Sequence, residues 1–318
     1  MDILTLEEFS NTGKRSSLAL GFFDGIHLGH RKILSSAVRT AEKNEILSVV
    51  FTFKNHPAEV LHPGRKLPLI SDFSLRIELI SQTGINCLVV CDFDQEFGMI
   101  SPRDFVHNII KEKLHPDFIV VGRNYSFGYR AGGTPSFLQR LQDICNFKLI
   151  IEAPVRHRGI VISSSMIRSL VTRGDLKTAS AMLGRTFSVH GNVIKGSGRG
   201  KNLGIPTANI IYPEKIVRPP DGVYAVKTKI KGKWLNSVAN LGGSPTFHDK
   251  GRAKNVLEVH VLDKDFDLYG KEMEIELVEF IRPLIFFDTP KALIARIKKD
   301  RDIARKILES KIPVEARL

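Results

Sequence analysis

Ten residues near the start of the chain, GFFDGIHLGH (21–30), combine side chains and spacing that suit phosphate chemistry. Gly21 and Gly25 let a backbone approach a phosphate closely, with Phe22 and Asp24 between them. His27 and His30 lie three apart, so on a helix both imidazoles face one side. A short apolar run, SLALGFF (17–23), leads into this segment. A helical pattern leaves it, with Ile33, Leu34, Ala37, Val38 and Ala41 at helical spacing. Open α/β sheets bind ligands where a strand ends and a helix begins. The helix start adds N–H groups and a partial positive charge. Three chemistries suit the histidines: hydrogen-bonding nucleotide phosphates as charge builds in a transition state, ligating a metal, or capping and packing. No other cluster of His, Cys or carboxylates is apparent to complete a metal site, so the phosphate reading is favoured.

A second basic element, ISSSMIR (162–168), places Ser163, Ser164 and Ser165 at a helix start and Arg168 one turn on. Together they can clamp a triphosphate, although the serines would also serve as a plain N-cap. Between the two elements lie FTFKNHP (51–57) and VVGRNYSFGYRAGG (120–133), each following a strand. Both loops are predicted to open on the same carboxyl-end face as Gly21. Arg123, Asn124, Phe127, Gly128 and Arg130 offer an aromatic surface, an amide and positive charge. A flat ring bearing a phosphate would suit them, and so would an ordinary loop.

The second half carries a different set. KGSGRGKNLGIPTANI (195–210) begins as a Gly/Lys/Arg flap whose Gly196, Gly198, Gly200 and Gly204 give phosphate oxygens access to backbone N–H groups. It ends in Pro206-Thr207-Ala208-Asn209. Thr207 and Asn209 are two apart on a strand, hence on one face, and both are oxygen donors that suit Mg²⁺. No GK[ST] follows the flap, so this is not a Walker A motif. In LEVHVLDKDFDLYG (257–270), Glu258 alternates against Leu257 and Val259. Taken alone it is a solvated strand residue; beside Pro206–Asn209 it becomes a candidate base. In the last helix Asp300 falls inside the apolar stripe of Leu293, Ile297, Ala304 and Leu308. There it needs a partner, a function, or a place at the stripe's edge.

These residues need two scaffolds, and 318 residues are enough for two domains. Up to Gly184, strands (ILSVVFTF, INCLVVCDF, DFIVVG, KLIIEAPV) alternate with helices (FSLRIELISQTG, SPRDFVHNIIKEKL, TPSFLQRLQDICNF), and two short helices close the run. Continuous apolar strands predict a parallel, doubly wound, Rossmann-like α/β domain. After Gly184, six β-rich stretches separated by turn signals predict a small closed antiparallel barrel, with a helix from Thr289-Pro290 to about Glu309. The boundary is placed at residue 185, giving domains 1–185 and 186–318.

With 42% hydrophobic and 25% charged residues the composition is globular, which excludes disorder and a coiled coil. No apolar run approaches the ~20 residues of a membrane span, and the N-terminus has no secretory pattern. A cytoplasmic protein is expected. Cys87, Cys91 and Cys145 fit free thiols in a reducing compartment. The net charge of +13 is spread without a basic run of five or more. That suits a polyanionic ligand and disfavours a nucleic-acid-binding module, which would need a clustered patch or a stacking platform.

The H-x-G-H element after the first strand of this domain, preceded by F-D-G, resembles the nucleotidylyltransferase superfamily. Read in order, GFFDGIHLGH, VVGRNYSFG, ISSSMIR, PTAN, GVYAV, NLGGSPTF and LEVHVLDKDFDLYG resemble the prokaryotic bifunctional riboflavin kinase / FAD synthetases, from about residue 16 to about 309. The resemblance implies phosphorylation of riboflavin to FMN by ATP in the barrel, then adenylylation of FMN to FAD with release of pyrophosphate in the α/β domain. It implies phosphate-binding roles for His27, His30, Ser163, Ser164 and Arg168, and a nucleotide loop of Gly21, Phe22, Asp24 and Gly25. Asn124 falls in the flavin-side loop, Thr207 and Asn209 match Mg²⁺ and ATP ligands, and Glu258 matches the proposed general base. A six-stranded barrel of riboflavin kinase type with a terminal helix is implied as well. Expected partners are riboflavin, FMN and ATP, with no nucleic acid and no membrane, in a monomer or weak homo-oligomer. Three positions depart from the family pattern: Asn55 replaces a frequent proline, Ile205 a frequent phenylalanine, and Ser244 a frequent arginine.

The two reactions ask for different groups. Riboflavin's terminal hydroxyl is a poor nucleophile, and a carboxylate that takes its proton would help. The phosphate of FMN, with a second pKa of about 6, is already a dianion at pH 7 and needs positioning and positive charge instead. The barrel holds the acidic candidate and the α/β domain the cationic ones. The nearest rival is a transferase acting on a non-flavin alcohol phosphate, which would have no need of the barrel.

Overall fold

The computed structural model describes residues 1–64, 67–194, 205–242, 255–262 and 269–310. Gly196, Gly198, Gly200, Gly204 and Ser244 lie outside the described residues. The chain packs as two compact units, Met1–Leu67 with Phe73–Ser163, and Pro68–Asp72 with Ser164–Leu318.

The first unit contains β1 (Asp2–Thr5), α1 (Leu6–Ser10), β2 (Ser16–Leu20), α2 (Leu28–Asn44), β3 (Leu47–Phe53), α3 (Pro57–Leu61), α4 (Phe73–Ser81), β4 (Cys87–Cys91) and α5 (Gln95–Met99). It continues with α6 (Pro102–Asp104), which runs on into a π-wound stretch over Phe105–Leu114. Then come β5 (Pro116–Gly122), α7 (Pro135–Cys145), β6 (Lys148–Glu152) and a small hairpin of β7 (Arg156–His157) and β8 (Ile160–Val161). β1–β6 form one sheet in the order β1-β4-β3-β2-β5-β6, with every pairing parallel. Alternate strand residues serve opposite helical layers. Leu18, Leu20, Val49 and Phe51 pack against Val106, Ile110 and Leu138, while Ala19, Val50 and Leu88 pack against Leu34, Ala37 and Leu79. Burial on both faces explains why these strands read as unbroken apolar runs.

β2 has β3 on one side and β5 on the other, so the winding direction switches there. The β2–α2 connection therefore sits at the switch point, where α/β sheets leave a ligand crevice. Edge strand β1 and helix α1 were not anticipated. β1 is short and mostly exposed, so no apolar run marks it. α1 carried a legible signal, because Thr5 and Glu8 cap each other's backbone N–H in a capping box.

The second unit holds α8 (Ser164–Thr172), α9 (Leu176–Leu183), β9 (Phe187–Ile194), β10 (Ala208–Ile211), β11 (Gly222–Ile230), β12 (Lys233–Leu241), β13 (Val256–Val261), β14 (Glu272–Arg282) and α10 (Pro290–Ser310). β9–β14 close into a six-stranded antiparallel barrel in the order β10-β13-β12-β11-β14-β9. Ala304 and Leu308 of α10 pack on Val223, Ala225 and Val238 of the barrel wall. Asp300, only 2% exposed, has found partners: Arg282 grips both of its oxygens and Arg296 bonds Oδ1 at 3.0 Å.

The short segment Pro68–Asp72 lies along the barrel unit. The Leu69 N–H donates to the Lys215 carbonyl and the Val217 N–H to the Leu69 carbonyl, both at 2.7 Å. Asp72 lies 3.5 Å from His190, and His190 also faces Glu274, which pairs with Lys229 at 3.1 Å. Burial alone would raise the Glu274 pKa, but the nearby His190 and the hydrogen-bonded Lys229 outweigh it and hold it down to about 2. The neighbouring carboxylates, Glu274 first and then Asp72, raise the His190 pKa against the effect of burial. The signs predict two limbs. Stabilisation by Glu274 is complete above its ordinary value near 4.5 and is lost as pH falls towards about 2. Stabilisation by His190 is complete below about 6.5 and is lost as pH rises through its raised folded value. His190→Gln should flatten the alkaline limb of a denaturant midpoint measured against pH, and an unchanged limb would remove His190 from the account.

Candidate active sites

The turn from β2 to α2 brings Gly21, Phe22, Asp24, Gly25, His27 and His30 together. Phe23, Gly25 and Ile26 all have left-handed backbone angles (φ 57°, 77° and 40°). For the two non-glycine residues this costs about 1–3 kcal/mol each. Both are nearly fully buried, so packing holds the strained turn in place. His27 caps α2, its Nδ1 accepting the His30 N–H at 3.2 Å. The two imidazoles stack with centroids 3.6 Å apart and planes 18° from parallel. Gly29 makes room for this, since a Cβ there would lie 3.0 Å from the His27 ring. The expectation that both rings share one side is met, and His27 carries the capping role as well.

Arg76 of α4 was missed by the sequence reading. It is only 3% exposed and donates to the carbonyls of Phe22 (3.0 Å), Phe53 (2.7 Å) and Lys54 (2.9 Å). Its guanidinium lies 4.2 Å from the Phe22 ring centroid. One buried cation thus ties the β2–α2 turn to the end of β3. His56, also missed, meets the same ring edge-on at 4.4 Å and caps α3. Asn55 bonds both the carbonyl and the N–H of Phe93, at 2.7 and 2.9 Å. The side chain that departs from the family pattern therefore anchors the loop after β3.

After β5, Arg123 and Asn124 are exposed. Phe127 is 7% exposed and packs among Tyr125, Phe105 and Phe137. Its ring is spent on fixing the loop. Ser163 ends the first unit, and the Ile162 carbonyl before it lies 3.9 Å from a Cβ placed on Gly29. The ISSSMIR segment therefore starts beside the head of α2. Ser164, Ser165 and Arg168 open α8 in the second unit, with Arg168 one turn along.

In the barrel, pairing sets Asn209 of β10 opposite Glu258 of β13, and Glu258 opposite Asn240 of β12. Opposite residues share a face, with Cβ atoms about 4.5–5.5 Å apart. Leu257 and Val259 fill the interior, whereas Val238, opposite His260, meets α10 outside. Asn209, Glu258 and Asn240 thus form a polar row on the outer face, and Thr207 precedes β10. The Asn240 Oδ1 is buried with no hydrogen-bond partner among the described residues. Its place in the row depends on strand pairing, so no local signal could have revealed it. The hydroxyl and amide oxygens of Thr207 and Asn209 are hard donors that fit Mg²⁺, with the Glu258 carboxylate opposite Asn209.

Family models agree with this division of the molecule. One described as FAD synthetase matches residues 10–166, and one described as riboflavin kinase matches residues 183–308. A bifunctional riboflavin kinase/FMN adenylyltransferase from Buchnera aphidicola is 34% identical over 95% of this chain and 96% of its own length. The chain belongs to the bifunctional riboflavin kinase/FMN adenylyltransferase family. A Listeria monocytogenes member is also 34% identical, over 95% of both chains. A crystal structure titled as a macrolide-efflux protein from Streptococcus pneumoniae matches with a TM-score of 0.84, at 28% identity, over 96% of this chain and 99% of that one. Both folds of the riboflavin kinase/FMN adenylyltransferase family are thus present, the parallel sheet and the closed barrel. No described helix is long and apolar enough to cross a membrane.

Proposed function

We propose that the chain makes FAD from riboflavin in two ATP-dependent steps at two separate sites. The observation that carries this reading is the pairing of a histidine-bearing turn at a sheet switch point with an acidic, oxygen-rich row on a barrel, in one chain that covers both family models. In the barrel the terminal hydroxyl of riboflavin attacks the γ-phosphorus of ATP, and FMN and ADP leave. Glu258 accepts the hydroxyl proton as the new O–P bond forms. Thr207 and Asn209 would hold Mg²⁺, which neutralises phosphate charge when bound. Pro206 flanks the nucleotide.

In the α/β domain a phosphate oxygen of FMN attacks the α-phosphorus of a second ATP, and pyrophosphate leaves. No proton needs removing, so binding and charge do the chemistry. His27 and His30 donate to the phosphates from the head of α2, and Gly21, Phe22, Asp24 and Gly25 receive the nucleotide. Ser163, Ser164, Ser165 and Arg168 hold the leaving phosphates. Arg123 and Asn124 meet the flavin, on a loop that Phe127 fixes.

The functional boundary is placed at residue 185, close to where the riboflavin kinase match opens, although α8 and α9 pack in the same unit as the barrel. The protein is assigned to the cytoplasm as a monomer or weak homo-oligomer acting on small molecules. The dispersed charge argues against nucleic acid as a partner. One assay tests the whole reading: purified chain, riboflavin, ATP and Mg²⁺, with flavins separated over time. FMN should rise and then give way to FAD, and a chelator should stop FMN formation. No flavin product from riboflavin or from supplied FMN would overturn the assignment.

A further inference from the structure

On β13 the neighbouring side chains of Glu258 and His260 both lie on the outer face of the barrel. His260 is 7% exposed, and its Nδ1 lies 2.8 Å from the carbonyl oxygen of Pro206. A carbonyl only accepts, so Nδ1 carries the proton and donates. The position of that bond matters. Pairing of β10 with β13 runs from Ile211 opposite Val256 back to Ala208 opposite Val259. One further step puts Thr207 opposite His260, but Thr207 lies outside the strand. The β ladder therefore does not fix the peptide group joining Pro206 to Thr207. Proline has no N–H to hold the segment from its other side. His260 bonds that peptide at its carbonyl, and the next strand residue on its own face is Glu258.

We propose that His260 is a positioning residue of the kinase site: by holding the Pro206 carbonyl it fixes the Thr207 hydroxyl beside Asn209 and Glu258, so that one strand supplies the base and also sets the oxygen donors opposite it. This rests on the reading of Thr207 as a Mg²⁺ ligand. Partners that orient ligand-bearing groups typically change metal affinity or activity by about 10–100-fold when lost. His260→Ala should raise the Mg²⁺ concentration for half-maximal FMN formation by at least about 10-fold and leave FAD formation from supplied FMN unchanged. His260→Asn keeps a short N–H donor and should restore most of the loss.

The test uses the full chain with His260→Ala, His260→Asn, Thr207→Ala and the double variant His260→Ala/Thr207→Ala. Mg²⁺ dependence of FMN formation is measured. So is Mg²⁺-ADP binding by calorimetry, in a His30→Ala background that weakens the other nucleotide site. If His260 acts through Thr207, the double variant should bind Mg²⁺-ADP no worse than Thr207→Ala alone. A shift in Thr207→Ala with none in His260→Ala would overturn the positioning role and leave the ligand reading standing. No shift in Thr207→Ala would remove the ligand reading and the positioning role together. Equal losses in His260→Ala and His260→Asn, accompanied by weaker ADP binding without Mg²⁺, would make His260 a packing residue and overturn the proposal.

Discussion

Glu258→Gln should lower FMN formation from riboflavin by roughly 10²–10⁴-fold and leave FAD formation from supplied FMN at the parent rate. Glutamine keeps the volume of the side chain and its place between Asn209 and Asn240, but it cannot accept the hydroxyl proton. Gln and Asn neighbours then make a neutral polar row, so the barrel should keep its melting temperature. The mirror variant is His30→Ala, which removes an imidazole stacked on His27 and with it the proposed donor to the phosphates. Loss of one such donor typically costs about 10²–10³-fold, here in FAD formation, while FMN formation continues. Chromatography of timed reactions started from riboflavin and from FMN reads both steps. Retained kinase activity in Glu258→Gln would remove it as the base. Loss of both activities in either variant, with the fold intact, would show that the two sites depend on each other.

Much of this was legible in the sequence because the information is local. An apolar run ending in glycine, followed by helical spacing, located the β2–α2 turn. Alternation around Glu258 gave its face, and the face of Asn209 followed from the period of a strand, whereas Thr207, expected on the same strand, lies just before β10. What stayed hidden was non-local. Asn240 joins the row only through the β12–β13 register, and His260 reaches Pro206 across strands 54 residues apart in sequence. The strap at Leu69 pairs with a segment more than a hundred residues later. Arg76 is a different kind of miss. It lies on the buried face of α4 with Leu75, Leu79 and Ile80, so the reasoning that singled out Asp300 within an apolar stripe would have flagged it too. Phe127 shows the opposite error. An aromatic in a binding loop invites a role in stacking, yet this ring is needed by the core under the loop.

Asp300→Asn is expected to be the most destabilising single change in the barrel unit. The carboxylate is 3% exposed and Arg282 11% exposed as side chains, so little water is present to replace the lost charge. Removing one partner of a buried pair leaves the other charge uncompensated, at a cost of about 3–5 kcal/mol. Arg296, at 29% exposure, can turn to solvent, but Arg282 is held on β14 with one N–H already committed to the Pro283 carbonyl. The consequence is mechanical as well as energetic. Asp300 joins α10 to β14, and the same helix covers Val223, Ala225 and Val238. Val238 stands opposite His260 on the outer face that carries Glu258. Loosening α10 should therefore lower kinase activity on warming before adenylyl transfer is affected. Thermal unfolding followed together with both activities tests this. The double variant Asp300→Leu/Arg282→Met, which removes both charges, should recover most of the stability. Recovery would assign the loss to the stranded arginine. A melting temperature in Asp300→Asn equal to that of the parent would show that the ion cluster contributes nothing to docking the helix.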